Sequence, residues 1–128
     1  MTDFLGLPVH HIGVALEIAE FNNLTQNLDI NNDETQGVQT YFEFNQTLQC
    51  YIEYFTISGR ARNYRSGFNH ICYNVKNIEE FSHLNNYIKQ NAWGLQITKI
   101  EKSGSKECNK VVFFYFEKFG IVEFNICD

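Results

Sequence analysis

The sequence predicts an α+β fold of two tandem βαβββ modules, and two repeated patterns lead to this prediction. A His-Ile dipeptide opens an apolar run at His11 and again at His70, and each run leads into an Ile-x-x-Phe helical pattern. Each half then closes with an acid inside an apolar segment, at Glu53 and at Glu123. Repetition of this kind is the signature of a fold assembled from copies of one unit. We therefore expect the two copies to face each other across a shared site.

Composition fits one packed domain and excludes some classes of function. The chain has 128 residues, of which 44% are hydrophobic and 16% aromatic, enough for one core. We expect a single domain over 1–128, with module one at about 7–57 and module two at about 68–127. A net charge of −5 argues against a nucleic-acid partner. The sequence shows no signal peptide and no apolar run of bilayer length, so we expect no membrane partner and a cytoplasmic location.

The cysteines predict a reduced protein. None of the four forms a Cys-x-x-Cys pair, and a chain that can bury a core has little need of disulfides. We expect them to act mostly as small apolar packing residues. They are Cys50, Cys72, Cys108 and Cys127.

The first module opens with a predicted strand, Val9–Leu16, whose two faces differ. Its even-numbered positions are large and apolar, so this face should pack on a helix. Its odd-numbered positions carry His11 beside the small residues Gly13 and Ala15, which leaves space above the sheet.

A predicted helix and further strands complete the first module. Four apolar residues recur at helical spacing, at Ile18, Phe21, Leu24 and Leu28. Segments 38–44 and 48–55 are predicted strands joined by a turn near Asn45, and 31–36 is a candidate for a further short strand.

The second module repeats this order. Segment 68–75 is its leading strand, and Asn77 with Glu80 three residues later predicts the N-terminal cap of a helix. Gly94 is expected to end that helix. Three predicted strands complete the module, at 95–102, 110–116 and 121–126.

Two imidazoles and two carboxylates form a candidate metal site. Glu53 and Glu123 each lie between apolar neighbours, and alternation places them on the face that His11 and His70 also occupy. An enclosed carboxylate is costly unless it is paired or bound to a metal. This ligand set suits Zn, Mn, Co, Ni or Fe(II), and it leaves positions open for water or substrate.

The same residues also have an ordinary interpretation. A single strand His is usually a hydrogen-bonded core or surface residue, and a single strand Glu usually faces solvent. The matched placement of all four residues in two copies favours the metal site. His10 and His83 lack such a counterpart, and we interpret both as ordinary residues, with His83 on the solvated side of the second helix.

The whole chain resembles the vicinal oxygen chelate superfamily, and most closely its glyoxalase and methylmalonyl-CoA epimerase branch. The motifs that carry the resemblance are HHIGVA at 10–15, QGV at 36–38, IEY at 52–54, NHICY at 69–73 and IVEF at 121–124. The resemblance implies paired βαβββ modules whose sheets curl around a metal cavity, and relatives that are often homodimers.

Position by position, the resemblance assigns the ligands of one divalent metal ion. His11, Glu53, His70 and Glu123 match the family's first to fourth ligands. It also implies a catalytic role for Glu123 as ligand and base, which Glu53 could share. One epimerase type carries a catalytic Glu two residues after its QGV motif, whereas this chain has Thr40 there, or Gln39 with a shift of one residue.

All three arginines lie in one loop that leads to His70. They are Arg60, Arg62 and Arg65. Arginine side chains suit carboxylate or phosphate groups, so an anionic substrate tail could dock here. A solvated loop that balances nearby acids is the alternative. We favour substrate binding for Arg65 and Arg62, and the solvated alternative for Arg60.

Three functions remain open at this point. The resemblance implies an epimerase or isomerase that removes a proton next to a metal-bound carbonyl, acting on a small carbonyl acid or acyl thioester. A glyoxalase-I-like lyase would use the same four ligands. A protein that sequesters a small molecule without chemistry is the third function, and an intact ligand set argues against it. Extradiol dioxygenation is disfavoured because Glu53 would fill a position that oxygen needs.

Overall fold

A computed structural model describes residues 6–104 and 108–127. The ends of the predicted 1–128 domain therefore lie outside the described residues. The described elements in chain order are β1 (Val9–Leu16), α1 (Ile18–Leu24), β2 (Asn31–Asp33), β3 (Val38–Asn45), β4 (Cys50–Thr56), a 3-10 helix (Gly59–Ala61), β5 (Gly67–Val75), α2 (Ile78–Gln90), β6 (Gly94–Gln96), β7 (Glu101–Lys102), β8 (Lys110–Phe116) and β9 (Gly120–Ile126). No helix in these ranges is long and apolar enough to cross a membrane.

The strands form one mixed sheet in which the two halves have the same internal order. The order across the sheet is β2-β3-β4-β1-β5-β9-β8-β6, and β7 also pairs with β8. In the first half β1 is parallel to β4, and in the second half β5 is parallel to β9. Antiparallel pairing of β1 with β5 joins the halves. The predicted α+β fold of two βαβββ units is confirmed.

Most predicted strands and both helices are present, but the first helix is shorter than predicted. It ends at Leu24 instead of extending to Leu28. The Thr25 hydroxyl donates to the Phe21 carbonyl, and Asn27 adopts a left-handed backbone with φ of 64°. Side-chain bonding of this kind competes with helix continuation, so the apolar spacing alone overestimates the length.

The second helix ends before Gly94, contrary to the prediction. Its last residue is Gln90, and Ala92 takes the left-handed conformation with φ of 53° that glycine usually supplies after a helix. Gly94 instead begins β6. A Cβ there would lie 2.7 Å from the Tyr115 carbonyl oxygen, so this glycine permits the close approach of β6 to β8.

The predicted strand 95–102 is interrupted in the structure. The backbone N–H groups of Ile97 and Thr98 both donate to the Phe113 carbonyl, and the Thr98 hydroxyl accepts from the Phe113 N–H. The Thr98 side chain thus replaces one backbone hydrogen bond between the strands, and the segment divides into β6 and β7.

The odd-numbered face of β1, which carries small residues, is more deeply buried than the even-numbered face with its large apolar residues. Residue size suggests the opposite. His11 and Ala15 on the odd-numbered face are 1% and 0% exposed, whereas Ile12 and Val14 on the even-numbered face are half-buried. The even-numbered face does contribute, since Ile12 packs against the main core. The small-residue face is nonetheless the enclosed one, because polar side chains from neighbouring strands fill the space above it.

An aromatic cluster between α2 and the second half of the sheet forms most of the main core. The Phe124 ring centroid lies 5.4 Å from that of Phe114 and 6.3 Å from that of Phe81 on α2. All three are at most 3% exposed. Burial of each such side chain contributes roughly 1.5–3 kcal/mol. As predicted, Val122 and Phe124 form the helix-facing side of β9, which leaves Glu123 on the opposite face.

Asn77 caps α2 as predicted, and its removal should destabilise the fold. Its side-chain oxygen accepts from the Glu80 N–H at 2.9 Å. We expect Asn77→Ala to lower the free energy of unfolding by about 1 kcal/mol, because this N–H would lose its acceptor. Urea denaturation followed by circular dichroism measures the change. Asn86→Ala, at an exposed position of the same helix, is the control, and an equal loss there would contradict the assignment.

Candidate metal centre

Strand register places the four predicted site residues in two neighbouring rows across the sheet. In one row Glu53 of β4 lies opposite Gly13 of β1, which in turn lies opposite His70 of β5. In the other row Glu123 of β9 lies opposite Cys72 of β5, and Cys72 lies opposite His11 of β1. Each row therefore joins a histidine from one half to a glutamate across a small residue of the intervening strand.

Gly13 is required because the His70 ring lies on it. A Cβ built at Gly13 would collide with the His70 ring. Gly13 has an ordinary strand conformation, so close approach and not a special backbone angle selects glycine here. The space that the sequence predicted above β1 is thus occupied by the imidazole of the second half.

Four side-chain atoms converge within 4.8 Å of one another. His11 Nε2 lies 3.2 Å from His70 Nε2, 3.3 Å from Glu53 Oε1 and 3.0 Å from Glu123 Oε1. His70 Nε2 lies 3.5 Å from Glu53 Oε1 and 3.1 Å from Glu123 Oε1. Atoms bound at about 2.1 Å to a single ion lie about 3.0–3.4 Å apart in tetrahedral or octahedral arrangements. The donor set and its spacing therefore fit one divalent ion.

Further contacts orient both imidazoles toward this centre. His70 Nδ1 lies 2.7 Å from Asn69 Oδ1, and an amide oxygen can only accept, so Nδ1 carries a proton and Nε2 is the nitrogen left to bind an ion. His11 Nδ1 lies 2.7 Å from His10 Nδ1. Contacts to the far nitrogen are the usual way in which a protein orients a metal-binding histidine.

Burial and mutual pairing set the charges of the metal-free site. Burial alone would raise the pKa of Glu53, but His11 and His70 outweigh it and hold that pKa at about 2. The pKa of Glu123 is likewise held far below its usual range. Burial alone would lower the pKa of each histidine, yet the acidic groups around them raise the His70 pKa above 6.5 and the His11 pKa well above it. Without metal, the cluster thus favours ionised carboxylates and shifts the imidazoles toward the protonated form.

The site opens into a cavity system between the two halves. The four-residue centre borders a space of about 30 Å³ lined by Glu53, His70 and Glu123 together with Gln36, Tyr64 and Phe113. A larger cavity of about 180 Å³ shares the last three of these residues and extends toward Arg60 and Glu101. The centre therefore lies next to a space large enough for a small acyl group, with Gln36, Tyr64 and Phe113 between the two.

The arginine loop contributes one salt bridge near this cavity. Arg60 lines the larger cavity and donates to both Glu101 carboxylate oxygens, at 3.0 and 3.2 Å. Arg62 is exposed and donates to the Gly59 carbonyl, and Arg65 is exposed. Neither of the last two lines either cavity, so their part in substrate binding stays a prediction.

The structure also locates the other residues that the sequence analysis interpreted. His83 is exposed on α2, as predicted. Thr40 is buried and accepts from the Asn31 amide, which gives no base at this position. His10, interpreted as ordinary, contacts His11. Asn69 had no predicted role, although its position next to His70 in the NHICY motif could have indicated a contact with that histidine.

Gly13→Ala should weaken metal binding without unfolding the protein. The added methyl would displace the His70 ring from the other three donors. We expect zinc affinity to fall by about 10- to 100-fold, the range for mutations that misplace a ligand, as measured by competition with a fluorescent chelator. Ala15→Gly, two residues along on the same face, is the control. Unchanged affinity in a folded Gly13→Ala variant would contradict this role of Gly13.

Metal loading should release protons. The raised pKa of His11 and of His70 shifts both imidazoles toward the protonated form in the metal-free protein, and an ion must displace the protons that they hold. Zinc affinity should therefore fall as pH falls. Isothermal titration in buffers of different ionisation enthalpy counts the protons, and His83→Ala should give the wild-type number. A binding enthalpy independent of the buffer would contradict the expectation.

Comparison with known proteins finds similar folds among solved structures. No family model matches the chain, and no curated protein matches it. A methylmalonyl-CoA epimerase from Mycobacterium tuberculosis matches with a TM-score of 0.64 and 12% identity, over 98% of this chain and 91% of that one. A hypothetical protein from Bacillus halodurans C-125 matches with a TM-score of 0.60 and 22% identity, over 91% of both chains.

A third structure that matches was solved with a ligand. It is a Streptomyces coelicolor methylmalonyl-CoA epimerase variant in complex with 2-nitronate-propionyl-CoA, with a TM-score of 0.55 and 14% identity, over 92% of this chain and 96% of that one. At these identities the likeness establishes the fold alone. The chain therefore has the paired βαβββ fold of these methylmalonyl-CoA epimerase structures.

Proposed function

We propose that this protein is a divalent-metal-dependent epimerase or isomerase of the vicinal oxygen chelate superfamily, acting on a carbon next to a carbonyl group. The observation that carries the proposal is the convergence of His11, Glu53, His70 and Glu123 beside a cavity that the last three of them line. Fold neighbours that are named methylmalonyl-CoA epimerases support the same reaction class.

The four donors would hold the metal ion, and the rest of the cavity would hold the substrate. The ion could be Zn, Mn, Co, Ni or Fe(II), since all accept imidazole and carboxylate ligands. When bound, it would supply Lewis-acid polarisation of the substrate carbonyl oxygen. Asn69 would keep His70 in the required tautomer, and the buried position of both histidines would exclude water from the ligands.

Glu123 and Glu53 are the groups that would move the proton. Each has one oxygen, Oε1, in the donor cluster, and both side chains line the inner cavity. An epimerase must remove a proton from one face of a carbon and return it to the other. Two carboxylates that come from different halves of the fold supply two such groups. Glu53, whose side chain is 13% exposed against 6% for Glu123, has the freer access to the cavity.

The cavity fits a small acyl group whose tail extends to solvent. Its volume of about 180 Å³ suits a short branched carbonyl acid, while a coenzyme tail would have to lie outside. Tyr64 and Gln36 line both spaces and offer hydrogen-bonding groups between the metal centre and the outer cavity. In this proposal Arg65 and Arg62 bind an anionic tail from their exposed loop.

Proton exchange on a carbonyl substrate tests the proposal. Tag-free wild type should contain about one divalent ion per chain by elemental mass spectrometry, and His70→Ala should lack it. Metal-loaded wild type should exchange the α-proton of methylmalonyl-CoA with deuterated solvent, as followed by mass spectrometry. Glu123→Gln and Glu53→Gln should slow exchange by about 10²-fold or more, while His83→Ala should match wild type.

Other outcomes would support a different function for the protein. Turnover of a glutathione hemithioacetal without exchange on acyl thioesters would favour the glyoxalase-I-like lyase. Stable metal binding with no reaction on any carbonyl substrate would favour a binding protein. Absence of metal in wild type, even after incubation with Zn, Mn, Co or Ni, would contradict the metalloenzyme proposal altogether.

A further inference from the structure

We propose that His10, Cys72 and Cys108 form a second metal site, selective for a thiophilic cation, on the side of His11 that faces away from the two glutamates. This inference does not depend on the carbonyl chemistry proposed above. It concerns side chains that supply no ligand atom to the His/Glu centre.

The ligand atoms lie close together in the structure. One donor atom from each of His10, His11 and Cys72 falls within 4.8 Å of the other two, which is a spacing that a single ion can bridge. Cys108 Sγ lies 3.9 Å from His10 Nδ1. Both thiols also lie within hydrogen-bonding reach of the His11 ring. The thiols of Cys72 and Cys108 therefore each lie near the His10 imidazole, beside His11.

The two nitrogens of His11 divide the two sites. Its Nε2 faces Glu123 at 3.0 Å, within the first centre, and its Nδ1 faces His10 at 2.7 Å. An ion that binds His10 Nδ1 would replace the contact of that nitrogen with His11 Nδ1 and would lie on the far side of the His11 ring from Glu123. The His11 ring therefore lies between the two sites, and the second site has no carboxylate ligand.

Comparison of the two halves shows that the Cys72 thiol has no counterpart in the first half. Gly13 and Cys72 are equivalent, because each lies two residues after the histidine of its half and opposite the histidine of the other half. The first half has glycine there, which leaves room for the His70 ring. The second half has a cysteine at the corresponding position, opposite His11.

The surroundings of these thiols differ from those of a cysteine that merely packs. Cys50 is 2% exposed and lies within the apolar core cluster. Cys72 and Cys108 are similarly buried, at 0% and 8% exposed, but they lie beside two imidazoles. His10 is held in place by rings, 5.5 Å from Tyr51 and 6.1 Å from Phe42 between centroids.

The chemistry of the ligands selects the ion. Thiolate ligands favour Zn, Cd and Cu(I), whereas carboxylates favour harder ions such as Mn or Mg. A coordinating thiol gives up its proton, so the ion would displace one proton from each cysteine. The buried position keeps competing water away and suits an ion of low coordination number.

Cadmium binding provides a spectroscopic test that the His/Glu centre cannot imitate. Cd²⁺ bound to thiolate absorbs in the ultraviolet through sulfur-to-metal charge transfer, and Cd²⁺ bound to imidazole and carboxylate alone does not. We expect reduced, tag-free protein titrated with Cd²⁺ to develop this band with saturation at one ion per chain for the second site. Glu123→Gln, which alters the first centre, should retain the band.

Single substitutions locate the sulfur ligands. Cys72→Ser and Cys108→Ser should each reduce the band by about half, since each removes one of two thiolates, and His10→Gln should weaken Cd²⁺ affinity about 10-fold or more. Cys127→Ser and Cys50→Ser are the matched controls and should leave the band unchanged. Circular dichroism of each variant confirms folding.

Three results would overturn the proposal. They are no charge-transfer band in folded wild type at saturating Cd²⁺, a band that disappears in Cys127→Ser, and a band that persists in the Cys72→Ser/Cys108→Ser double variant. The wild-type titration alone decides the first of these, so the test does not rest on any variant that fails to fold.

Discussion

The antiparallel pairing of β1 with β5 is the constraint on which the rest of the structure depends. Its register sets Gly13 opposite His70 and His11 opposite Cys72. Each row continues into the parallel partner, β4 or β9, and ends at a glutamate. A slip of one residue would turn every one of these side chains to the other face of the sheet. Correct pairing of the strands therefore also brings the site residues together.

That register concentrates polar groups where a sheet usually buries apolar ones. Four ionisable side chains meet in a nearly dry space, and unpaired charges there would cost several kcal/mol each. Mutual pairing offsets this cost in the metal-free protein, and a divalent ion would offset it further by neutralising both carboxylates. The aromatic core between α2 and β9, centred on Phe124, supplies the rigid support that such a site requires.

The two halves share a plan but are not interchangeable. Glycine beneath His70 allows close ring packing, whereas cysteine beneath His11 brings a thiol to the ring. His11 also has His10 on its Nδ1 side, while His70 has Asn69 in the corresponding role. The asymmetry makes His11 the boundary between an oxygen-rich environment on one side and a sulfur-rich environment on the other.

The sequence by itself determined the repeated order of elements and the identity of the four converging residues. Period-two alternation places His11, Glu53, His70 and Glu123 on one face of their strands, and the duplicated spacing relates them in pairs. It also located the Asn77 cap, because a cap is a local contact between near neighbours.

Only the tertiary structure decided how these residues meet. The enclosure of the small-residue face of β1, the stacking of His70 on Gly13 and the approach of Cys108 to His10 all join residues far apart in the chain. The ends of both helices and the break between β6 and β7 likewise follow from side-chain hydrogen bonds and close strand packing that no periodicity encodes. Periodicity fixes which way a side chain points, whereas register and packing fix what it touches.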